Sequence, residues 1–139
     1  MSSPVVAEAA PLLGCPPGLY RGRVEGAESG RCEARVEVRK IPGGCLSVDY
    51  EAVGAEGVQH VEHTVVAPTV LYVAHSEAPG VSVFTPAGDG VFDGPAGGPY
   101  AQRVVVDWDG RTLTWSWHWA PAGEAPMEQS RAEVRLAES

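Results

Sequence analysis

From Leu19 onward, apolar and polar residues alternate with a period of two, the mark of strands that bury one face. The pattern predicts nine or ten strands: LYRGRVEG (19–26), RCEARVEVRK (31–40), CLSVDYEAV (45–53), VQHVEHTVVA (58–67), TVLYVAHS (69–76), GVSVF (80–84), DGVFD (89–93), YAQRVVVDW (100–108), RTLTWSWHW (111–119) and EQSRAEVRL (128–136). No helix of usual length fits between them. A short helical piece over 5–13 is the exception, limited by Pro11. The fold class expected is all-β: an antiparallel meander closing into a nine- or ten-stranded barrel, which leaves no sheet edge exposed. An open sheet would need a covering layer, which a homodimer partner could provide. Residues 1–18 read as an N-terminal extension and 19–139 as a single barrel domain.

Turn chemistry suggests registers. Asp109-Gly110 between two alternating runs favours a two-residue type I′ hairpin. That turn would set Trp108 opposite Arg111, Val106 opposite Leu113, Val104 opposite Trp115, Gln102 opposite Trp117 and Tyr100 opposite Trp119. Similarly, a three-residue loop Ile41-Pro42-Gly43 would set Val38 opposite Leu46. Cys32, Ala34, Val36 and Val38 then share a face with Leu46, Val48, Tyr50 and Ala52, and Cys45 points the other way. In the last strand Ala132, Val134 and Leu136 oppose a charged face of Arg131, Glu133 and Arg135.

These faces single out one wall. Tyr100, Gln102, Trp115, Trp117 and Trp119 lie together, with Gln102 the one polar member. Such a wall suits a small organic ligand, because pockets of that kind are mostly apolar with a few directed polar groups. Simple core filling and a dimer interface are the competing readings. His118 falls on the opposite face with Ser116 and Thr114, as a surface residue. GPAGGP (94–99) and TPAGDG (85–90) read as connections, with a place at the barrel mouth as the alternative.

In QHVEHTVV, Val61, His63 and Val65 share one face, and His60, Glu62 and Thr64 the other. His63 is the expected inward polar group. A symmetric fold about Pro68 would place it near Val73, and His60 near Ser76 with His75 diagonal to it. Histidines with Glu62 suggest metal chemistry, but His60 and His63 point to opposite faces, and no metal site is assigned. Asp49, Glu51 or Glu62 could accept a proton from histidine. Tyr50 and His63 are the cavity candidates for acid–base work. No nucleophile elbow or phosphate loop occurs in its required context.

A formal net charge of −8 argues against nucleic acid and against an anionic membrane surface. No apolar run approaches the roughly 20 residues of a transmembrane helix. The first residues lack the basic start and apolar stretch of a signal peptide, so a cytoplasmic location is expected. Three cysteines are too few, and odd in number, for a disulfide framework.

LYRGRV near the start and SRAEVRL at the end, joined by a meander of short strands, resemble the calycin superfamily. Its members include lipocalins, fatty-acid-binding proteins, nitrobindins and small lipocalin-like bacterial domains. The resemblance covers residues 19–136. Gly18-Leu19-Tyr20 is similar to the family's Gly-x-Trp motif, with Tyr20 in place of the tryptophan. The resemblance implies a ligand cavity inside the barrel, and packing of the Tyr20 ring beneath Arg131 or Arg135. Nitrobindins hold haem through a histidine near the C-terminal end of the barrel. Here no histidine follows His118 and the fuller Gly-Xaa-Trp-Xaa-Gly-Xaa-Gly opening is absent, so haem is the runner-up and no cofactor is assigned.

The function expected is non-catalytic binding of a small, largely apolar or aromatic molecule, with Tyr50, His63, Tyr100, Gln102, Trp115, Trp117 and Trp119 as ligand-binding residues. The alternatives are a haem- or metal-binding barrel, a small enzyme using His63 with a nearby carboxylate, and a self-association module with no ligand.

Overall fold

The computed structural model describes residues 14–26 and 30–137; the helical piece expected over 5–13 lies outside them. The described residues form strands and turns with no helix, in the order β1 (Gly18–Gly26), β2 (Gly30–Ile41), β3 (Cys45–Gly54), β4 (Gly57–Val66), β5 (Leu71–His75), β6 (Ser82–Gly88), β7 (Val91–Asp93), β8 (Tyr100–Trp108), β9 (Thr112–Pro121) and β10 (Met127–Leu136). Every strand pairs antiparallel with its sequence neighbours, and β1 pairs with β10 to close a ten-stranded barrel. Closure pairs every strand on both sides, so alternation along each strand becomes inside against outside.

The registers differ from those the turns suggested. In β8–β9, Trp108 pairs with Leu113, Val106 with Trp115, Val104 with Trp117 and Gln102 with Trp119. The turn is therefore four residues long, and each partner moves by two. A type I′ turn needs positive φ at both central residues, yet Gly110 has φ +95° and no residue other than glycine has positive φ among those described. Asp109 instead folds its side chain back, and its Oδ1 accepts from the amides of Arg111 and Thr112 at 2.8 and 2.7 Å. The β2–β3 loop keeps its odd length but spans 42–44, pairing Val38 with Val48; Gly43 and Gly44 both take positive φ. A shift of two preserves each face, so the expected apolar faces of β2, β3, β8 and β9 all turn inward.

One end of the barrel is solid. Tyr20, Val36, Val38, Leu46, Val48, Leu71, Phe84, Phe92, Val106, Leu113, Trp115 and Val134 are all buried there. The Tyr20 ring meets Trp108 edge to face at 5.9 Å, and its hydroxyl donates to Pro16 O at 2.6 Å and accepts from Cys15 Sγ at 3.0 Å. The arginine packing implied for Tyr20 does not form. Arg131 and Arg135 sit on the outer face, Arg131 bonded to Glu128 and Arg135 to Thr112. At the seam, a Cβ on Gly22 would lie 1.9 Å from Glu133 O, so β10 can approach β1 only because this residue is glycine.

Candidate functional site: an open half-barrel with a buried carboxylate–histidine chain

Turns 42–44, 67–70, 89–90 and 109–112 close the solid end, and the connections 55–56, 76–81, 94–99 and 122–126 stand at the other. The segments 85–90 and 94–99 thus do not share a mouth. Thr85–Gly88 belongs to β6, and only 94–99 reaches the open end. There the interior holds a cavity of about 600 Å³. Its aromatic lining is Tyr50, Tyr100, Trp117 and Trp119. Its polar lining is Gln59, His60, His75, Glu77, Gln102, Gln129 and Ser130. No lysine or arginine lines it among the described residues.

Two register shifts shape this half. Ala52 pairs with His60 but Val53 with Val58, leaving Gln59 as an extra residue on β4. On β10 the same happens at Gln129, between Glu128, opposite His118, and Ser130, opposite Trp117. A bulge of this kind re-aims the side chains around it. Without the one at Gln59, the Gly54–Gly57 hairpin would put Val61 opposite Tyr50. With it, Glu62 takes that position. His60, Glu62, Thr64 and Val66 therefore face inward, and Val58 and Val61 are exposed.

The expectation for His63 is thereby overturned. It lies on the outer face, about half exposed, with Nδ1 2.5 Å from Asp49 Oδ1. The pairing expected about Pro68 is also corrected. Residues 67–70 form a four-residue turn closed by Ala67 N–H to Val70 O at 3.0 Å. Glu62 then pairs with His75, His63 with Ala74 and Thr64 with Val73. An even-length turn brings His75 onto the inner face beside His60.

The result is a chain of side chains. Glu62, 1% exposed, accepts at Oε1 from Trp117 Nε1 (2.7 Å) and pairs through the same oxygen with His60 Nε2 (3.0 Å). The other nitrogen of His60, Nδ1, lies 2.7 Å from the Glu77 carboxylate. Glu77 also meets His75 Nδ1 at 3.2 Å and accepts from Ser76 Oγ at 3.1 Å. The His60 and His75 rings stack at 6.0 Å, and His75 meets Trp117 at 5.3 Å.

Burial of the His60 ring pulls its pKa down, but the hydrogen bonds to Glu62 and Glu77 and their charge outweigh this and raise it above the ordinary value. A carboxylate on each nitrogen favours the protonated ring, in which both nitrogens donate. Glu77 moves the other way. Its partial burial opposes the change, but bonds to His60, His75 and Ser76 hold it below the usual carboxylate range. Burial first, then the negative Glu62, keeps the Tyr50 phenol above its ordinary range and hence a donor at neutral pH.

Of the residues singled out from sequence, Tyr50, Tyr100, Gln102, Trp117 and Trp119 line the cavity together. Trp115 lies deeper, 1% exposed in the solid core, and His63 lies outside. His118 is on the outer face, as expected, with Nε2 3.0 Å from Ser116 Oγ. His60, Glu62, His75 and Glu77 were not singled out as cavity residues. The signal that could have found them is the doubled histidine spacing across a short turn, which only the bulge and the turn length turn inward.

The site thus defines the molecule as an antiparallel ten-stranded β-barrel, solid at one end and hollow at the other. The fold is similar to that in the "Crystal Structure of Rv2717c from M. tuberculosis", with TM-score 0.65 and 18% identity over 96% of this chain and 100% of that one. At this identity the likeness concerns the fold alone. No model of a known family matches the chain, and no curated protein matches it.

Proposed function

We propose that this barrel, calycin-like in architecture, binds a small and largely apolar or aromatic molecule in its open half. The observation that carries the reading is the contrast within one interior. One end is packed with buried side chains, whereas the other leaves about 600 Å³ among four aromatic rings and several polar groups. Ligand sites are of this size and this mixed lining. Removal of ligand surface from water would supply most of the affinity. Tyr50, Gln102 and His75 line the cavity and would fix the ligand's orientation. Trp117 and Trp119 make the test direct: a panel of small aromatic compounds is screened by tryptophan fluorescence and by melting temperature. Binding should quench or shift the emission and raise the melting temperature together. If no compound does either at its solubility limit, the reading fails.

A further inference from the structure

We propose that the ligand taken by this cavity is a small organic cation, an amine or ammonium head carried on an apolar or aromatic body. This rests on the binding reading above and names its ligand class. At the polar pole of the cavity Glu77 lines the space and Glu62 lies buried behind it, one on each nitrogen of the His60 ring. Glu62 is 1% exposed, and its Oε2 is buried with no hydrogen-bond partner. Two carboxylates thus stand against one histidine at this end of the cavity, which favours a positively charged group there. No lysine or arginine among the described lining residues offsets the carboxylates, and Gln59, Gln102 and Gln129 are neutral.

The walls agree with the pole. Tyr50, Tyr100, Trp117 and Trp119 line the space, and the face of such a ring attracts a cation. An anionic ligand of the same shape would meet the Glu77 carboxylate with no lysine or arginine among the described lining residues to offset it, a mismatch that costs affinity. The chain's net charge of −8 would also draw cations toward the mouth.

The test uses the full chain and three compounds with one ring system and three charges: tryptamine, indole-3-ethanol and indole-3-acetate, each titrated by calorimetry at neutral pH. The amine should bind at least about tenfold more tightly than the alcohol, and the acid more weakly than both. Glu77→Gln, checked by circular dichroism for a native melt, should bring the amine and alcohol to within about threefold while the alcohol still binds. Equal binding of amine and alcohol, or tighter binding of the acid, overturns the cation inference and leaves the ligand-binding reading standing. An amine preference that survives Glu77→Gln overturns the placement of the head at this pole. Failure of all three compounds to bind overturns both readings for aromatic ligands.

Discussion

Trp117 Nε1 donates a 2.7 Å hydrogen bond to Glu62 Oε1, joining β9 to β4 across the inside of the barrel. The two strands are not neighbours in the sheet, so this bond ties opposite walls together just where packing gives way to cavity. Replacing Glu62 with Leu leaves the Trp117 donor unpaired and strips His60 of one carboxylate. We expect a loss of about 3 kcal/mol, in the range for breaking a buried hydrogen-bonded pair. In a double-mutant cycle with Trp117→Phe, urea-denaturation midpoints should show coupling above about 0.5 kcal/mol. Strict additivity would mean that the bond contributes nothing.

The part of this site legible in the sequence followed from period-two alternation alone. Tyr50, Gln102, Trp117 and Trp119 face inward in any register that differs by two. Parity is what alternation fixes: the Asp109 turn changed length by two and the Gly43-Gly44 turn kept its length but moved by one residue, and neither changed parity. β4 was different. Its bulge at Gln59 inserts one residue, and one residue reverses every side chain after it. Hydropathy pointed the wrong way there as well. A strand lining a cavity can keep its polar side in, and β4 sends His60 and Glu62 inward while Val58 and Val61 face out. Sequence pattern alone offers no way to see a bulge whose extra residue is an ordinary glutamine.

The His60 clamp predicts a pH dependence of stability. A histidine whose folded pKa lies above its ordinary 6.5 stabilises the fold fully below that value, and the contribution is lost as pH rises through the folded pKa. Glu77, held below its ordinary 4.5, contributes above that value and loses its effect as pH falls through its folded pKa. The pair therefore stabilises most between the two ordinary values. His118, lowered by burial, acts only on the acid side of 6.5, and Cys15, raised by burial, only beyond 9.0. A decline in melting temperature between pH 6.5 and 9.0 thus reports His60. His60→Gln should flatten it; an unchanged slope in that variant would assign it elsewhere.

Gly22→Ala tests the seam. The added Cβ would meet Glu133 O at 1.9 Å, and a backbone carbonyl in a paired strand cannot step aside cheaply. The expected loss is at least about 1–3 kcal/mol, the usual cost of overpacking. Amide hydrogen exchange should rise first along β1 and β10. A melting temperature equal to the parent's would show that the closure is looser than this geometry implies.

His63→Ala should do almost nothing, although His63 is the histidine that alternation favours. Its bond to Asp49 joins two half-exposed side chains on the outer wall, and such pairs contribute at most about 1 kcal/mol. Ligand titrations and tryptophan emission should match the parent within error. A change in either would require His63 to reach the interior.

Trp115 and Trp119 should behave as different kinds of residue despite their spacing of four along one face. Trp115 is 1% exposed among side chains of the solid end, so Trp115→Ala opens a void the core cannot refill and should cost about 3–5 kcal/mol. Trp119 is only partly buried and already borders open space, which lets water or a neighbour take up the missing volume. Trp119→Ala should therefore cost less, under about 2 kcal/mol, and show its effect instead as lost ligand affinity. Chemical denaturation of both variants, paired with calorimetric titration, separates the two roles. Equal destabilisation with no change in binding would make the whole tryptophan face a packed core, because a ring that borders a working cavity must affect what the cavity holds.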